Sequence, residues 1–100
     1  MRNVPDSCVR KTTDSIIKFQ ELRSIIRFHN SQRSLYKKVK VDGGALHEGA
    51  KCDNMLCSAD EHEERYIELK GSDIPHAIVQ LRTTILKLGE HDGNRHSYVV

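Results

Sequence analysis

Aromatic side chains are scarce in this sequence, at 5% of residues, and Tyr36, Tyr66 and Tyr98 are spread apart along it. That argues against a base-stacking platform, which needs several rings gathered on one surface. Cysteine is scarce too. Three residues are an odd number from which no disulfide framework can be read, so a reducing compartment, the cytoplasm, is expected. No run of 18 apolar residues exists, and no membrane-spanning helix is expected. The opening Met1-Arg-Asn-Val-Pro5 lacks the apolar stretch of a secretory leader. A large excess of one charge is also missing. The formal net charge of +2 is too small to announce a nucleic-acid binder by itself.

What is present describes one globular domain over residues 1–100, with 37% hydrophobic and 30% charged residues and room for a modest core. Residues 1–12 are expected to be a loosely ordered N-terminal segment. Basic residues concentrate between Lys18 and Lys51, with Arg23, Arg27, Arg33, Lys37, Lys38 and Lys40, while acids gather from Asp60 to Glu64. A basic first half either meets phosphates or is ordinary solvated charge.

The order of elements follows from apolar spacing. Ile16, Ile17, Phe19, Leu22, Ile25, Ile26 and Phe28 recur at three- and four-residue steps, which predicts a helix over residues 13–29. Glu21 falls inside its apolar arc, either at the margin of the buried face or aimed at a site. Alternation over residues 34–42 predicts a strand, and Asp42-Gly43-Gly44 a turn. A returning strand is expected within residues 45–56, most clearly at 52–56, then a polar connection over 57–64 and a strand over 65–70. Gly71-Ser72-Asp73 leads into a second helix, with Pro75 suited to its first turn and Gly89 to its C-cap. Its apolar face is Ile74, Ala77, Ile78, Leu81, Ile85 and Leu88, and residues 96–100 read as a last strand. The sum is α-β-β-β-α-β, an α/β (α+β) chain whose central mixed sheet is flanked by two helices.

Glu68-Leu69-Lys70 is the stretch with chemistry in it. Glu68 and Lys70 project from one strand face together with Tyr66, while Ile67 and Leu69 take the other. If the preceding turn centres on Asp60-Glu61, Asp53 lies across from Glu68. Cross-strand Cβ atoms sit about 4.5–5.5 Å apart, so two carboxylates share one small volume. They repel each other unless a hard cation such as Mg²⁺ or Mn²⁺ turns the repulsion into ligation.

The pattern Asp53, fourteen intervening residues, then Glu68-Leu-Lys70 resembles the PD-(D/E)xK phosphodiesterase superfamily of restriction-endonuclease-like proteins. That family's core is also α-β-β-β-α-β. The resemblance implies a metal-dependent endonuclease, a hydrolase acting on phosphodiester bonds, with DNA as the favoured partner. Asp53 and Glu68 would hold Mg²⁺ (or Mn²⁺), and Lys70 would assist the attacking water. Glu21 would match an accessory acid of the first helix and Gln80 a polar residue of the second. The family often has proline before the first aspartate, where this chain has Cys52.

Other readings stand beside it. His47, Cys52, Cys57 and His62 form a valid zinc ligand set by type, but in a strand Cys52 and Cys57 would face opposite sides. Lys37, Lys38, Lys40, His76 and Lys87 are candidate nucleic-acid contacts. A homodimer is expected through the apolar last strand at residues 97–100, since an open edge invites pairing. The alternative function is a non-catalytic nucleic-acid-binding or inhibitor protein on the same fold, acting through its basic surface.

Overall fold

A computed structural model describes residues 4–21, 24–42, 53–69, 74–88 and 94–100. After a short 3-10 turn at Asp6–Cys8, the elements are β1 (Val9–Thr12), β2 (Ile16–Glu21), β3 (Ser24–His29), β4 (Tyr36–Lys40), β5 (Asn54–Ser58), β6 (Glu63–Glu68), α1 (Ile74–Leu88) and β7 (Asn94–Val99). The chain is mixed α+β: a five-stranded sheet in the order β1-β4-β5-β6-β7, a two-stranded β2-β3 sheet and, among the described residues, one helix. β4, β5 and β6 form an antiparallel meander, and α1 then carries the chain to β7, which runs parallel to β6.

The expected helix over residues 13–29 is instead the β2–β3 hairpin, so two flanking helices are not what covers this sheet. The doublets Ile16-Ile17 and Ile25-Ile26 imitate helical spacing, yet the strand pattern is the one the fold uses. Ile17 and Phe19 are buried while Ile16, Lys18 and Gln20 are exposed. β-branched and aromatic side chains favour an extended, half-buried ribbon over a helix. Ile17 pairs with Phe28 and Phe19 with Ile26 across the hairpin. The inward residues meet Leu56, Ile67 and Leu69 on the sheet, with Tyr36 and Tyr98 at the margin. The Phe28 ring stands edge-on to Phe19 at 6.2 Å and to Tyr98 at 5.2 Å. Burying Ile17 and Phe19 contributes roughly 1.5–3 kcal/mol each.

The other face carries α1. Ala77, Leu81, Thr84 and Leu88 are its buried stripe, and Leu81 and Leu88 pack on Val39, Val41, Met55, Cys57 and Tyr66. Ile78, placed on the apolar face from its spacing, is 48% exposed, because the stripe runs through Thr84 instead. The fold is therefore a sandwich of helix, sheet and hairpin.

The N-terminal segment also departs from expectation. Val9–Thr12 is an ordered edge strand, paired with β4 from Val9↔Val39 to Thr12↔Tyr36, and Val9 packs against the helix-side core. Asn30 fixes the base of the hairpin to the strand that follows. Its Nδ2 donates to the carbonyls of Asp14 at 3.0 Å and Ser34 at 2.8 Å, while its Oδ1 accepts from the Ser34 N–H at 3.1 Å. The turn expected at Asp42-Gly43-Gly44 lies, beyond Asp42, outside the described residues, as do Leu22, His47, Cys52, Lys70, Gly71, Ser72, Asp73 and Gly89. Among the described residues no helix is long and apolar enough to cross a membrane.

Candidate active site

The β5–β6 register sets the site. Cys57 pairs with Glu64, Leu56 with Arg65, Met55 with Tyr66 and Asn54 with Ile67. There the regular ladder ends: the Asp53 N–H donates to the carbonyl of Ile67, the residue already paired with Asn54, at 3.1 Å. The Leu69 N–H donates to Asp53 Oδ2 at 2.8 Å, so Asp53 is bound to the residues on either side of Glu68. The hairpin turn that fixes this register is built locally. The Ser58 hydroxyl donates to Asp60 Oδ1 at 2.6 Å, the His62 N–H donates to the same oxygen at 3.0 Å, and Glu61 takes a left-handed φ of 61°. The Ser58 hydroxyl, and next the His62 N–H, hold the Asp60 carboxyl below its usual range.

Asp53 and Glu68 are both buried, 8% and 1% exposed, at the end of the sheet where β4 finishes and β5 begins. The Asp53 carbonyl accepts from the N–H groups of Val41 at 3.1 Å and Asp42 at 3.3 Å, so β4 buttresses this corner as well. Its Oδ2 is fixed by the Leu69 N–H. That bond orients the carboxyl and ties it to the strand carrying Glu68. Glu68 is anchored from its own far side, its carbonyl accepting from the Val100 N–H at 2.9 Å. Glu68 and Tyr66 share the helix side of β6, while Ile67 and Leu69 enter the hairpin-side core.

A cavity of about 340 Å³ opens at this corner, lined by Gln20, Glu21, Lys40, Asp42, Asp53 and Asn54. Glu21 therefore reaches the neighbourhood of Asp53, but from the end of a hairpin strand and not from a helix. Asp42, read in the sequence only as a turn residue, lines the same cavity. Among the described residues no group of three or more His, Cys, Asp or Glu is placed to hold a metal ion. The pair Asp53 and Glu68 still fits a small hard cation by donor type, because Mg²⁺ is commonly held by one or two carboxylates, with waters and substrate phosphates completing its shell.

The remaining candidates are dispersed. Lys70 lies outside the described residues. Gln80 is half-buried on α1, where its carbonyl accepts from the Thr84 hydroxyl at 2.8 Å, and it does not line the Asp53 cavity. His76 and Lys87 are exposed on α1. Lys37 belongs to the helix side of β4 and pairs with Glu61 at 2.9 Å. Lys38 and Lys40 lie on the hairpin side, where both line a second groove joined by Arg10 and Lys18. Arg10 and Lys18 were missed because they sit in segments read as loose chain and as helix. The alternation of Lys18 and Gln20 with Ile17 and Phe19 is the signal that would have exposed them.

The zinc set does not assemble among the described residues. Cys57 is fully buried in the helix-side core, whereas His62 is exposed in the turn. Burial, and next the charge of Glu64, push the Cys57 thiol up to about 12, which makes it an inert core residue. Comparison with family models, with curated proteins and with solved structures finds no match to this chain.

Proposed function

We propose that the protein is a metal-dependent nuclease that hydrolyses phosphodiester bonds, with DNA as the favoured substrate, on a core akin to that of restriction endonucleases. The observation carrying this reading is that buried Asp53 is hydrogen-bonded to Ile67 and Leu69, on either side of buried Glu68, and lines a cavity together with Glu21 and Asp42. Burying two carboxylates side by side is costly. A fold gains from that arrangement when a cation is the intended occupant. Asp53 and Glu68 would hold Mg²⁺ or Mn²⁺, which supplies Lewis-acid polarisation of the phosphodiester when bound.

The chain's own residues do the rest. The Leu69 N–H fixes the orientation of the Asp53 carboxyl. Lys70, two residues beyond Glu68, is assigned to orient the attacking water and to stabilise charge developing on the phosphorus oxygens. Glu21 stands as the accessory acid, now from the hairpin. β7, like β1, is at an edge of the described sheet, and a second copy pairing along β7 would give each strand of a duplex its own site.

Incubating linear, circular, single-stranded and branched DNA with the protein across a Mg²⁺ and Mn²⁺ titration tests the reading. Cleavage is expected with metal and absent in EDTA. Glu68→Ala and Asp53→Ala should each lower it by a factor on the order of 10²–10³, with circular dichroism showing a retained fold. Cleavage undiminished in both variants would overturn the assignment.

A second reading, a nucleic-acid-binding or inhibitor protein without catalysis, is favoured by the lack of a three-ligand group among the described residues. It predicts binding indifferent to EDTA and to Glu68→Ala.

A further inference from the structure

Beside the carboxylate cavity, a groove of about 320 Å³ runs between the β2–β3 hairpin and the β1–β4 edge of the sheet. Arg10, Lys18, Lys38 and Lys40 all line it, and no Asp or Glu is among its described lining residues. In a chain whose formal net charge is only +2, this is a local concentration of positive charge. Arg10, Lys18 and Lys40 are exposed. Lys38 is half-buried, with its Nζ donating to the Lys18 carbonyl at 3.0 Å and standing 4.8 Å over the Phe19 ring. Its ammonium is held below the usual lysine range, first by burial and then by the charge of Arg10; Lys18 adds to the lowering, and Asp14 opposes it. Gathering like charges in a partly desolvated groove costs folding free energy, which a bound polyanion would return.

Two further features narrow the ligand. Gln20, Lys40 and Asn54 line both this groove and the Asp53 cavity, so the two are continuous. Among the described residues the one ring lining the groove is Phe19, which is 5% exposed and capped by Lys38. With no ring face open, bases cannot stack here, and cations alone contact phosphates without reading sequence.

We infer that this groove is a phosphate track: it grips the backbone of a nucleic-acid strand without base readout and delivers that strand to the carboxylate corner. Delivery to a cutting site rests on the nuclease reading, whereas the binding itself does not. The track belongs to the hairpin side of the sheet, which assigns nucleic acid there and not to His76 and Lys87 on α1.

Binding of fluorescent 20-nucleotide single-stranded and duplex DNA, followed by anisotropy in EDTA over a range of salt, tests it. The double variant Arg10→Gln/Lys18→Gln changes two exposed side chains away from the carboxylate cavity. It should weaken binding about tenfold or more and reduce the slope of log affinity against log salt by roughly 1.5–2. Arg82→Gln/Lys87→Gln, on exposed α1 positions, should leave affinity within about twofold. If thermal melts show that the first double variant does not fold, Lys18→Gln alone reads the same effect at half the slope change. Millimolar inorganic phosphate should not compete, because one phosphate cannot span several cations. An unchanged slope in the groove variants, a larger loss in the α1 variant, or full competition by inorganic phosphate would each overturn the track. Groove-dependent binding without any metal-dependent cleavage would leave the track standing and remove the nuclease reading.

Discussion

The two ends of β6 hold buried glutamates on the same face of the sheet and treat them differently. At one end Glu64 pairs across the strands with Cys57 and, on the parallel side, with Arg95, whose Nε lies 3.3 Å from its Oε1. At the other end Asp53 is hydrogen-bonded to Ile67 and Leu69, the residues on either side of Glu68. A buried carboxylate is tolerated when a cation answers it. The Glu64 end is answered by a residue of the chain and faces a thiol that stays protonated. The Glu68 end has a second buried carboxylate in the same corner, Asp53, which lines an open cavity with Glu21 and Asp42. The same chemistry in the same strand thus makes a structural pair at one end and a candidate cation site at the other.

Removing the arginine should break the contrast most strongly. Arg95→Ala leaves Glu64 buried without the cation beside it and should cost about 2–4 kcal/mol, at or below the range for a broken buried pair because Arg95 is partly solvated. Urea unfolding measures this, and adding Glu64→Gln to Arg95→Ala should recover much of the loss. A smaller change sharpens the contrast at the other end. Asp53→Asn keeps an acceptor for the Leu69 N–H while removing one of the two buried acids of this corner. Without metal it should be neutral or slightly stabilising. With Mg²⁺ at about ten times its dissociation constant, the native protein should gain about 1.4 kcal/mol that the variant does not. Equal Mg²⁺ shifts in both proteins would remove the cation from the Asp53–Glu68 corner.

Much of this corner is legible in the sequence because it depends on local counting. A turn centred on Asp60-Glu61 fixes which residues face each other, and strand parity then fixes that Glu68 and Tyr66 share a side. From Tyr36 onward the observed order is β-β-β-α-β, and every element there announces itself by alternation or by the stripe through Ala77 and Leu81. The hairpin is illegible for a physical reason. Isoleucine doublets satisfy helical and strand spacing alike, and only the sheet face waiting for Ile17 and Phe19 decides between them. The groove is less legible still. Arg10, Lys18, Lys38 and Lys40 come from three separate strands and meet only once the hairpin is folded over the sheet edge. β1 hides because Val9 is its one large aliphatic residue, and its strand character comes from pairing with β4.

Alkaline pH gives the smallest and most selective test, because it sets a second negative charge beside Glu64. Cys57 faces Glu64 in the core, and its thiol is raised from an ordinary value near 9.0 up to about 12, by burial first and by the Glu64 charge second. Tyr66 is pushed upward by the same two causes in the same order. For a group whose proton is held more tightly in the folded state, the stabilisation is complete below the unfolded value and is lost as pH rises toward the folded one. Between pH 9 and 12 the unfolded chain therefore releases protons that the folded chain keeps, and stability must fall. At pH 9.5 the Cys57 share should be under about 1 kcal/mol, with Tyr66 adding to the fall at higher pH. Cys57→Ala creates a small cavity and lowers stability at every pH, but it should flatten the decline between pH 8.5 and 10. An equally steep decline in that variant would mean that the thiol facing Glu64 is not what keeps this end of the strand neutral.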